Sequence, residues 1–509
     1  MSRGKNTHLL KSAGIIGFAT VISRVLGYLR DILMANFFGT GLYAQAFVVA
    51  FRIPNMLRDL IGEGATNAAF VPVLSQYKET EDKLSYWKLT NVLLNVLLVV
   101  LSLITFLGVL LSPMIVRLIA PGFISDPEKL NITIYLTRFM FPYVLLVGLL
   151  AYSMGILNSL KHFSVPAFAS SILNLSIIIC ALAKKGDIRA LAAGVLIGGV
   201  VQLAMQFPVL FLKGYRFDFK VGFRHPAVKK MGILLIPRVL GSCVYQISIF
   251  VSTMLASLSH IVGYGGVAAL YYSNRIFQFP LAIFGIAIAQ AALPTMSREA
   301  LEEGYEKLKE TLSFSLRVVN FIMIPASIGL IVLARPITRI LFERGMFDEV
   351  STSVTSGALA FYSIGLFSYA GIKILVSCFY SLKDTATPVK IASISLVLNI
   401  ILSFVLMFYM KINGLALATS CSGIVNFLLL FFALREKIGS FDGFNILVSS
   451  SKVFLASIIM VFSLLFFSYI YVLNIFIVIM IGIVSYLLSV FLLDQREAKE
   501  FIKWVLRKK

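Results

Sequence analysis

Histidine, cysteine and acid are scarce in this chain of 509 residues. The four histidines, His8, His162, His225 and His260, are widely separated and fall mostly near expected loops, so they make no metal or general-base cluster in sequence. The four cysteines, Cys180, Cys243, Cys378 and Cys421, lie in apolar runs without C-x-x-C spacing. That excludes a disulfide framework and a zinc ribbon, and leaves them as small core residues. No G-x-x-x-x-G-K-[ST], H-E-x-x-H or G-x-S-x-G motif occurs, so ATP hydrolysis, zinc proteolysis and serine hydrolysis have no residues to run on. Acids number 24 against 45 bases, for a net charge of +21. The bases are scattered among apolar runs and short loops with no RNA-binding signature, which argues against nucleic acid as a partner. What is abundant is apolar residue: 59% of the chain is hydrophobic and the mean hydropathy is +0.91. Soluble proteins sit near about 45–50% apolar, so this is an all-α polytopic membrane protein.

Apolar stretches of spanning length number fourteen. The first six lie near 12–38, 43–75, 88–118, 131–158, 164–183 and 189–212, followed by a basic connection from Lys213 to Lys230. Six more lie near 231–259, 266–296, 308–341, 352–380, 386–410 and 412–434, and the last two near 450–472 and 474–493. The first stretch follows Arg3, Lys5 and Lys11 as a signal peptide would, yet it contains Arg24 and Arg30 and lacks a convincing cleavage site, so it reads as a retained helix. Bases concentrate in every second loop, which places both termini in the cytoplasm. Lys184 to Arg189 and Arg335 to Arg344 run against that rule. The chain also repeats itself at an offset of 222 or 223 residues. Ala68, Ala69 and Pro72 match Ala291, Ala292 and Pro294; Pro113 and Arg117 match Pro336 and Arg339; Ser159, Leu160, Lys161 and Pro166 match Ser381, Leu382, Lys383 and Pro388. A period holding six spans makes two lobes of like orientation, with a site between them. The divisions are residues 1–222 for the first six-helix lobe, 223–439 for the second, and 440–509 for two added helices and a basic tail.

Charge inside the spans carries the chemistry. Arg24, Arg30, Asp31, Arg52, Arg58, Asp59 and Glu63 sit in the first two stretches. Each arginine near the middle of a spanning helix costs roughly 2.5–3.5 kcal/mol, unless it faces water, a partner or a ligand. Arg24, Gly27 and Asp31 share one helix face by their spacing, as do Arg52 and Asp59. In the second lobe Arg275 follows Tyr271, Tyr272, Ser273 and Asn274. Arginines from spans one, two and eight suit an anionic ligand with a diphosphate, because guanidinium stays charged and pairs with phosphate through a fork. The candidate substrate-binding residues are therefore Arg24, Arg30, Asp31, Arg52, Arg58 and Arg275, with Ser23, Glu63, Asn274 and Gln278 as gating or structural polar groups. The alternatives are an ion pair of Arg24 or Arg30 with Asp31, pairing of Arg58 or Arg275 with Glu63 or backbone carbonyls, and snorkelling of Arg52 or its pairing with Asp59. The two final stretches carry Phe462, Phe466 and Phe467, a surface suited to a lipid tail or to plain helix packing.

The runs Ser23 to Asp31, Arg52 to Arg58, Glu63 to Pro72, Ala120 to Phe123, Phe342 to Phe347 and Lys383 to Pro388 resemble the MurJ (MviN) family of lipid II flippases from end to end of the chain. The resemblance implies the multidrug/oligosaccharidyl-lipid/polysaccharide exporter fold, with a central cationic cavity and a groove for a polyprenyl tail formed by the two added helices. It implies essential arginines at Arg24, Arg30, Arg58 and Arg275 with Asp31 as acidic partner, and a bacterial inner-membrane location serving cell-wall synthesis. The chain departs from the family pattern at Gln45 and Asn274, where members carry acids, and at Asp59, where they carry a base. Some members bind sodium in the second lobe through acids; Asp384 is the nearest candidate here, with helix capping as its other role. No cofactor is implied, and transport is coupled either to the membrane potential or to a monovalent cation. Two other functions compete with a flippase for lipid-linked peptidoglycan precursor. One is export of another undecaprenyl-linked glycan, or drug and ion antiport, on the same fold; the other is a membrane-embedded glycosyltransferase. The oligomeric state is not legible. Reporter fusions after Lys220 and after Lys509 should both read cytoplasmic, and a periplasmic signal from either rejects the orientation.

Overall fold

The computed structural model describes residues 2–59, 70–219, 225–470 and 474–493, with backbone alone at 2–13, 235–242 and 468–470. Glu63, Lys220, Arg224 and the basic tail lie outside the described residues. The described residues are mainly helical, with no strand among them. Packing divides the chain into two compact units: Met1–Leu258 with Arg344–Phe347, and Ser259–Glu343 with Asp348–Lys509.

The first unit contains α1 (Ser2–Phe38), α2 (Leu42–Leu57), α3 (Val71–Thr80), α4 (Lys83–Ile119), α5 (Pro127–Met140), α6 (Tyr143–Ser159), α7 (Ser164–Ala183), α8 (Ile188–Ala204), α9 (Gln206–Leu212) and α10 (Pro226–Ala256). Acid caps open several of them: Asp82 accepts from the Ser85 amide at 3.2 Å, Asp126 from Lys129 at 3.1 Å and Asp187 from Arg189 at 2.9 Å. Each cap satisfies a backbone donor that a helix start would otherwise leave open. Helix α7 lies between α1 and α8, and the α7–α8 approach depends on a small residue: a Cβ at Gly194 would stand 2.7 Å from the Ile177 Cα. At one end of the unit, Phe70, Leu74, Tyr86, Leu93, Tyr152 and Tyr215 form a buried cluster. Asn91 pins the segment after α9 to it, donating to the Arg216 carbonyl at 3.0 Å and accepting from the Tyr215 hydroxyl at 3.2 Å. Helix α10 joins this unit through Ala227 and Met231 in that cluster and through Ser257 Oγ, which accepts from the Gly122 amide at 3.0 Å. The packing boundary therefore falls one helix beyond the repeat boundary at 222.

The second unit contains α11 (Ser259–Val262), α12 (Gly266–Pro280), α13 (Ile286–Glu299), α14 (Glu306–Val332), α15 (Ala334–Phe342), α16 (Glu349–Ile364), α17 (Leu366–Ser381), α18 (Ala386–Ile438), α19 (Gly443–Ile470) and α20 (Ile475–Leu492). A π-helical turn, Leu281–Gly285, joins α12 to α13 just after Pro280. Asp348 caps α16 through the Ser351 amide at 2.8 Å, and that bond holds its carboxyl below the usual range. Helices α19 and α20 pack on each other and on α14. Asn320 donates to Ser450 Oγ at 2.9 Å, the Tyr486 hydroxyl donates to the Phe321 carbonyl at 2.6 Å, and the hydroxyls of Ser463 and Ser485 are 2.8 Å apart.

The repeat is visible in backbone detail. The break between α5 and α6 matches the break between α16 and α17, where the chain bends by 44°. At the ends of α6 and α17, Lys161 and Lys383 take the same left-handed conformation, with φ of 60° and 58°. The closing bonds are the same as well: His162 N to Leu157 O at 2.8 Å, and Asp384 N to Phe379 O at 2.9 Å.

Among the described residues nine helical runs are long and apolar enough to cross a membrane, with α5–α6, α8–α9 and α12–α13 each counted as one run, or ten if the bent pair α16–α17 counts as one span. Helix α1 is as long but carries Arg24, Arg30 and Asp31 within one crossing length. The stretch read as one span at 308–341 is broken at Leu333, between α14 and α15. Two bases that run against the loop rule there are balanced locally: Arg335 pairs with Glu349 at 2.7 Å, a largely exposed pair worth little to stability, and Arg339 with the half-buried Glu343 at 2.9 Å.

Helix α18 has 53 residues, which as a straight rod would be about 80 Å long, far beyond a hydrocarbon core of about 30 Å. It reverses at Lys411 (φ 53°, ψ −132°). Asn399 Nδ2 lies 3.2 Å from Ser422 Oγ, a contact that only a fold-back allows. The turn is so tight that a Cβ on Gly414 would stand 2.3 Å from the Leu406 carbonyl oxygen. Lysine at such a φ and ψ is strained, whereas glycine is not. Lys411→Gly should therefore raise the thermal unfolding midpoint, by about 1 kcal/mol of stability, and Gly414→Val should lower it by more than about 2 kcal/mol. Equal midpoints for the three proteins in detergent would contradict the turn.

Candidate functional site

The polar centre of the first unit is on α1. Arg30 is 9% exposed and Asp31 1%, and the guanidinium grips its neighbour's carboxylate with Nε at 3.0 Å and Nη2 at 2.7 Å from Oδ1. Residues adjacent in a helix point about 100° apart, so the arginine has to fold sideways along the helix to make this pair. Asn174 of α7 completes the arrangement. Its Oδ1 accepts from Arg30 Nη1 at 2.9 Å, and its Nδ2 donates to the Ser23 carbonyl at 3.0 Å. One amide thus ties the arginine and the α1 backbone to the next helix. The side chain of Ser23 is half-buried. Arg24 is exposed and has no hydrogen-bond or ion-pair partner among the described residues, although it shares a face with buried Asp31 by spacing. Sequence reasoning missed Asn174; its signal is a lone amide in the apolar run of α7, one turn from Ser171, whose hydroxyl reaches the Ala19 carbonyl at 3.4 Å.

Arg58 ends α2 and pairs with Asp59 at 3.0 Å, both about one-third exposed. The pairing considered for Arg58 with Glu63 lies outside the described residues. Arg52, half-buried, lines a cavity of about 230 Å³ among α2, α4 and α10. Gln45, one of the departures from the family pattern, is buried and donates to the Thr40 carbonyl at 3.1 Å. In the second unit, Arg275 lies over the Tyr271 ring, 5.0 Å from its centroid, with Nη2 donating to the Tyr271 hydroxyl at 3.1 Å. One turn on, Gln278 donates to Asn274 Oδ1 at 2.6 Å. Tyr271 supports the arginine from four residues away, a contact that helical spacing permits and composition alone does not single out.

Asp384 sits between α17 and α18. Its carboxylate accepts from the amides of Ala386 and Thr387 at 3.1 and 3.0 Å and from the Thr387 hydroxyl at 2.8 Å, and it pairs with Lys437. The Lys437 bond, then the Thr387 amide, hold this carboxyl well below the usual range. It caps α18 and ties the helix start to its far end. Among the described residues no group of three or more His, Cys, Asp or Glu lies close enough to hold a metal ion. The added helices α19 and α20 enclose an open apolar groove of about 500 Å³, walled by Phe467, Phe476, Met480, Val484 and Leu488. Phe462 and Phe466 are exposed but are not on its wall.

Two compact helical units, spanning helices interrupted by arginine, and a bare apolar groove define a multi-pass membrane transporter. The fold is that of a multidrug resistance MATE transporter of the MOP superfamily solved in an inward-facing conformation: TM-score 0.67 at 14% identity, covering 82% of this chain and 94% of that one. A structure described as lipid II flippase MurJ in an inward closed conformation is nearer, with TM-score 0.80 at 28% identity, covering 93% of this chain and 97% of that one. The probable lipid II flippase MurJ of Vibrio cholerae is 38% identical over 438 residues, 84% of this chain and 83% of the relative. The profile of the family described as lipid II flippase MurJ matches residues 34–485. The chain belongs to the MurJ family.

Replacing Asn174 with leucine keeps the volume and removes both bonds, one of them to a charge. A hydrogen bond to a charged group contributes about 1.5–3 kcal/mol, so Asn174→Leu should lower stability by about that much. A thermal midpoint within a degree of the parent's would show that Asn174 does not secure Arg30.

Proposed function

We propose that this protein is a lipid II flippase of the bacterial inner membrane. It moves the lipid-linked peptidoglycan precursor from the cytoplasmic to the outer leaflet by alternating access, with fourteen spans and both termini cytoplasmic. The observation that carries this reading is the set of arginines within the helices of a chain so poor in acid. Arg24, Arg30, Asp31, Arg52, Arg58 and Arg275 form the substrate-binding set, the arginines taking the diphosphate through charge-assisted forks and Asp31 orienting Arg30. Ser23, Glu63, Asn274 and Gln278 supply polar contacts that change during the cycle. The groove on α19 and α20 carries the polyprenyl tail, which must stay in apolar surroundings while its head crosses. No bond of the substrate is made or broken, so no catalytic residue and no cofactor is needed. The membrane potential or a monovalent cation drives the cycle. The repeat-related lobes, 1–222 and 223–439, rock against each other, and 440–509 is the tail-binding addition.

Arg24→Ala, Arg30→Ala and Arg275→Ala should each abolish growth in a strain depleted of its own lipid II flippase, at normal protein levels. Arg24→Lys should rescue poorly, because it keeps the charge and loses the fork. Val484→Trp, which fills the groove, should bind a soluble head-group analogue yet fail to support growth. Parental growth by the alanine variants rejects the arginine site.

A further inference from the structure

Two runs that carry the family resemblance, Ala120 to Phe123 and Phe342 to Phe347, have no part in the binding set, and each holds a glycine. Gly122 follows α4, the third span of the first repeat, and Gly345 follows α15, which closes the third span of the second. The two are 223 residues apart, the offset of the repeat. Each glycine presses on the end of a first span. A Cβ on Gly345 would overlap the Asn36 carbonyl oxygen near the end of α1, and the next amide, that of Met346, donates to this oxygen at 2.9 Å. A Cβ on Gly122 would overlap the Ser257 carbonyl oxygen just after α10 and stand 2.7 Å from the Leu258 Cα, while the Gly122 amide donates to Ser257 Oγ at 3.0 Å. Asn36 and Leu258 are 222 residues apart, so the receiving ends are repeat-related as well. The contacts are crossed: the first repeat's glycine meets the second repeat's carbonyl, and the reverse. All four segments belong to the first compact unit, including Arg344–Phe347, whose chain neighbours on both sides belong to the second. Ser257 and Phe347 are each 1% exposed.

We propose that the two contacts are the halves of one latch, which joins the repeats at the end where their first and third spans finish and which opens as a unit. Carbonyls in the last turn of a helix lack partners within it, and a loop amide from the other repeat satisfies one of them at Asn36. Glycine lets backbone meet backbone in both halves. A hydrogen bond that is exchanged for one to water breaks at little net cost, so such a latch is reversible. With both termini cytoplasmic this is the outer end, which has to part before a substrate leaves outward. That role in transport rests on the flippase reading; the coupling of the two halves does not.

The test reads one half while the other is wedged. The full chain in nanodiscs carries Ser257→Cys or Phe347→Cys, and its rate of labelling by a water-soluble maleimide is measured against the blank set by the four native cysteines. Gly345→Ala should speed labelling at Ser257→Cys about tenfold, and Gly122→Ala should do the same at Phe347→Cys, because either wedge favours the shared opening. Labelling unchanged by the distant wedge overturns the latch, since the two loops then move independently. Ser257→Ala removes the Gly122 bond without adding volume, and it takes the place of Gly122→Ala, with the same expectation, where a melting curve shows the latter unfolded. Asn36→Cys with Met346→Cys, bridged by a short bifunctional thiol reagent, should cease to support growth in the flippase-depleted strain, while the unbridged pair supports it. Growth by the bridged protein overturns the opening of the latch. Coupled labelling in a chain that never supports growth keeps the latch and rejects the flippase reading instead.

Discussion

A guanidinium among aliphatic side chains draws in whatever polar groups its neighbours can offer, and the packing of the first unit reflects that demand. Arg30 takes Asp31 from its own helix and Asn174 from α7. Asn174 has capacity left over and spends it on the α1 backbone at Ser23. The charge therefore fixes which face of α1 meets α7, and the close α7–α8 approach at Gly194 carries the arrangement to a third helix. Breaking a buried pair by removing one partner strands the other, which is the reason such pairs set register more than they add stability.

The few acids are distributed with the same economy. Asp82, Asp126, Asp187, Asp348 and Asp384 all serve helix starts, where open backbone amides favour negative charge. Acids spent there are not available to neutralise arginine within the spans. Asp31 in α1 and Asp59 just after α2 cap no helix; each is held by the arginine just before it. Arg24 keeps its charge exposed, and Arg275 rests on the ring of Tyr271.

Much of this was legible in the sequence, because charge in an apolar run is conspicuous and a long repeat keeps its prolines in register. The turn between the stretches ending at 410 and beginning at 412 was legible too, and the chain reverses at Lys411. Asn174 was not, since one amide in a serine-rich apolar helix looks like many others until the third dimension sets it beside Arg30. The breaks at Leu333 and before Leu366 were also hidden, because hydropathy is blind to bends that leave composition unchanged. The place of Arg52 on a mainly aliphatic cavity depends on α4 and α10, far away in sequence. Its spacing to Asp59 suggested a pair, whereas Asp59 goes to Arg58.

The reversal at Lys411 also bears on how the chain reaches its bilayer. With Gly414 against the Leu406 carbonyl, the two arms of α18 have no aqueous loop between them, and their buried polar groups, Asn399 with Ser422 and Thr419, answer one another across the hairpin. An arm entering alone would carry those groups unpaired into hydrocarbon, and would hold its partner at the surface with no slack to wait there. Those groups find their partners only when the two arms lie side by side, which makes the helical hairpin rather than the single arm the unit suited to hydrocarbon.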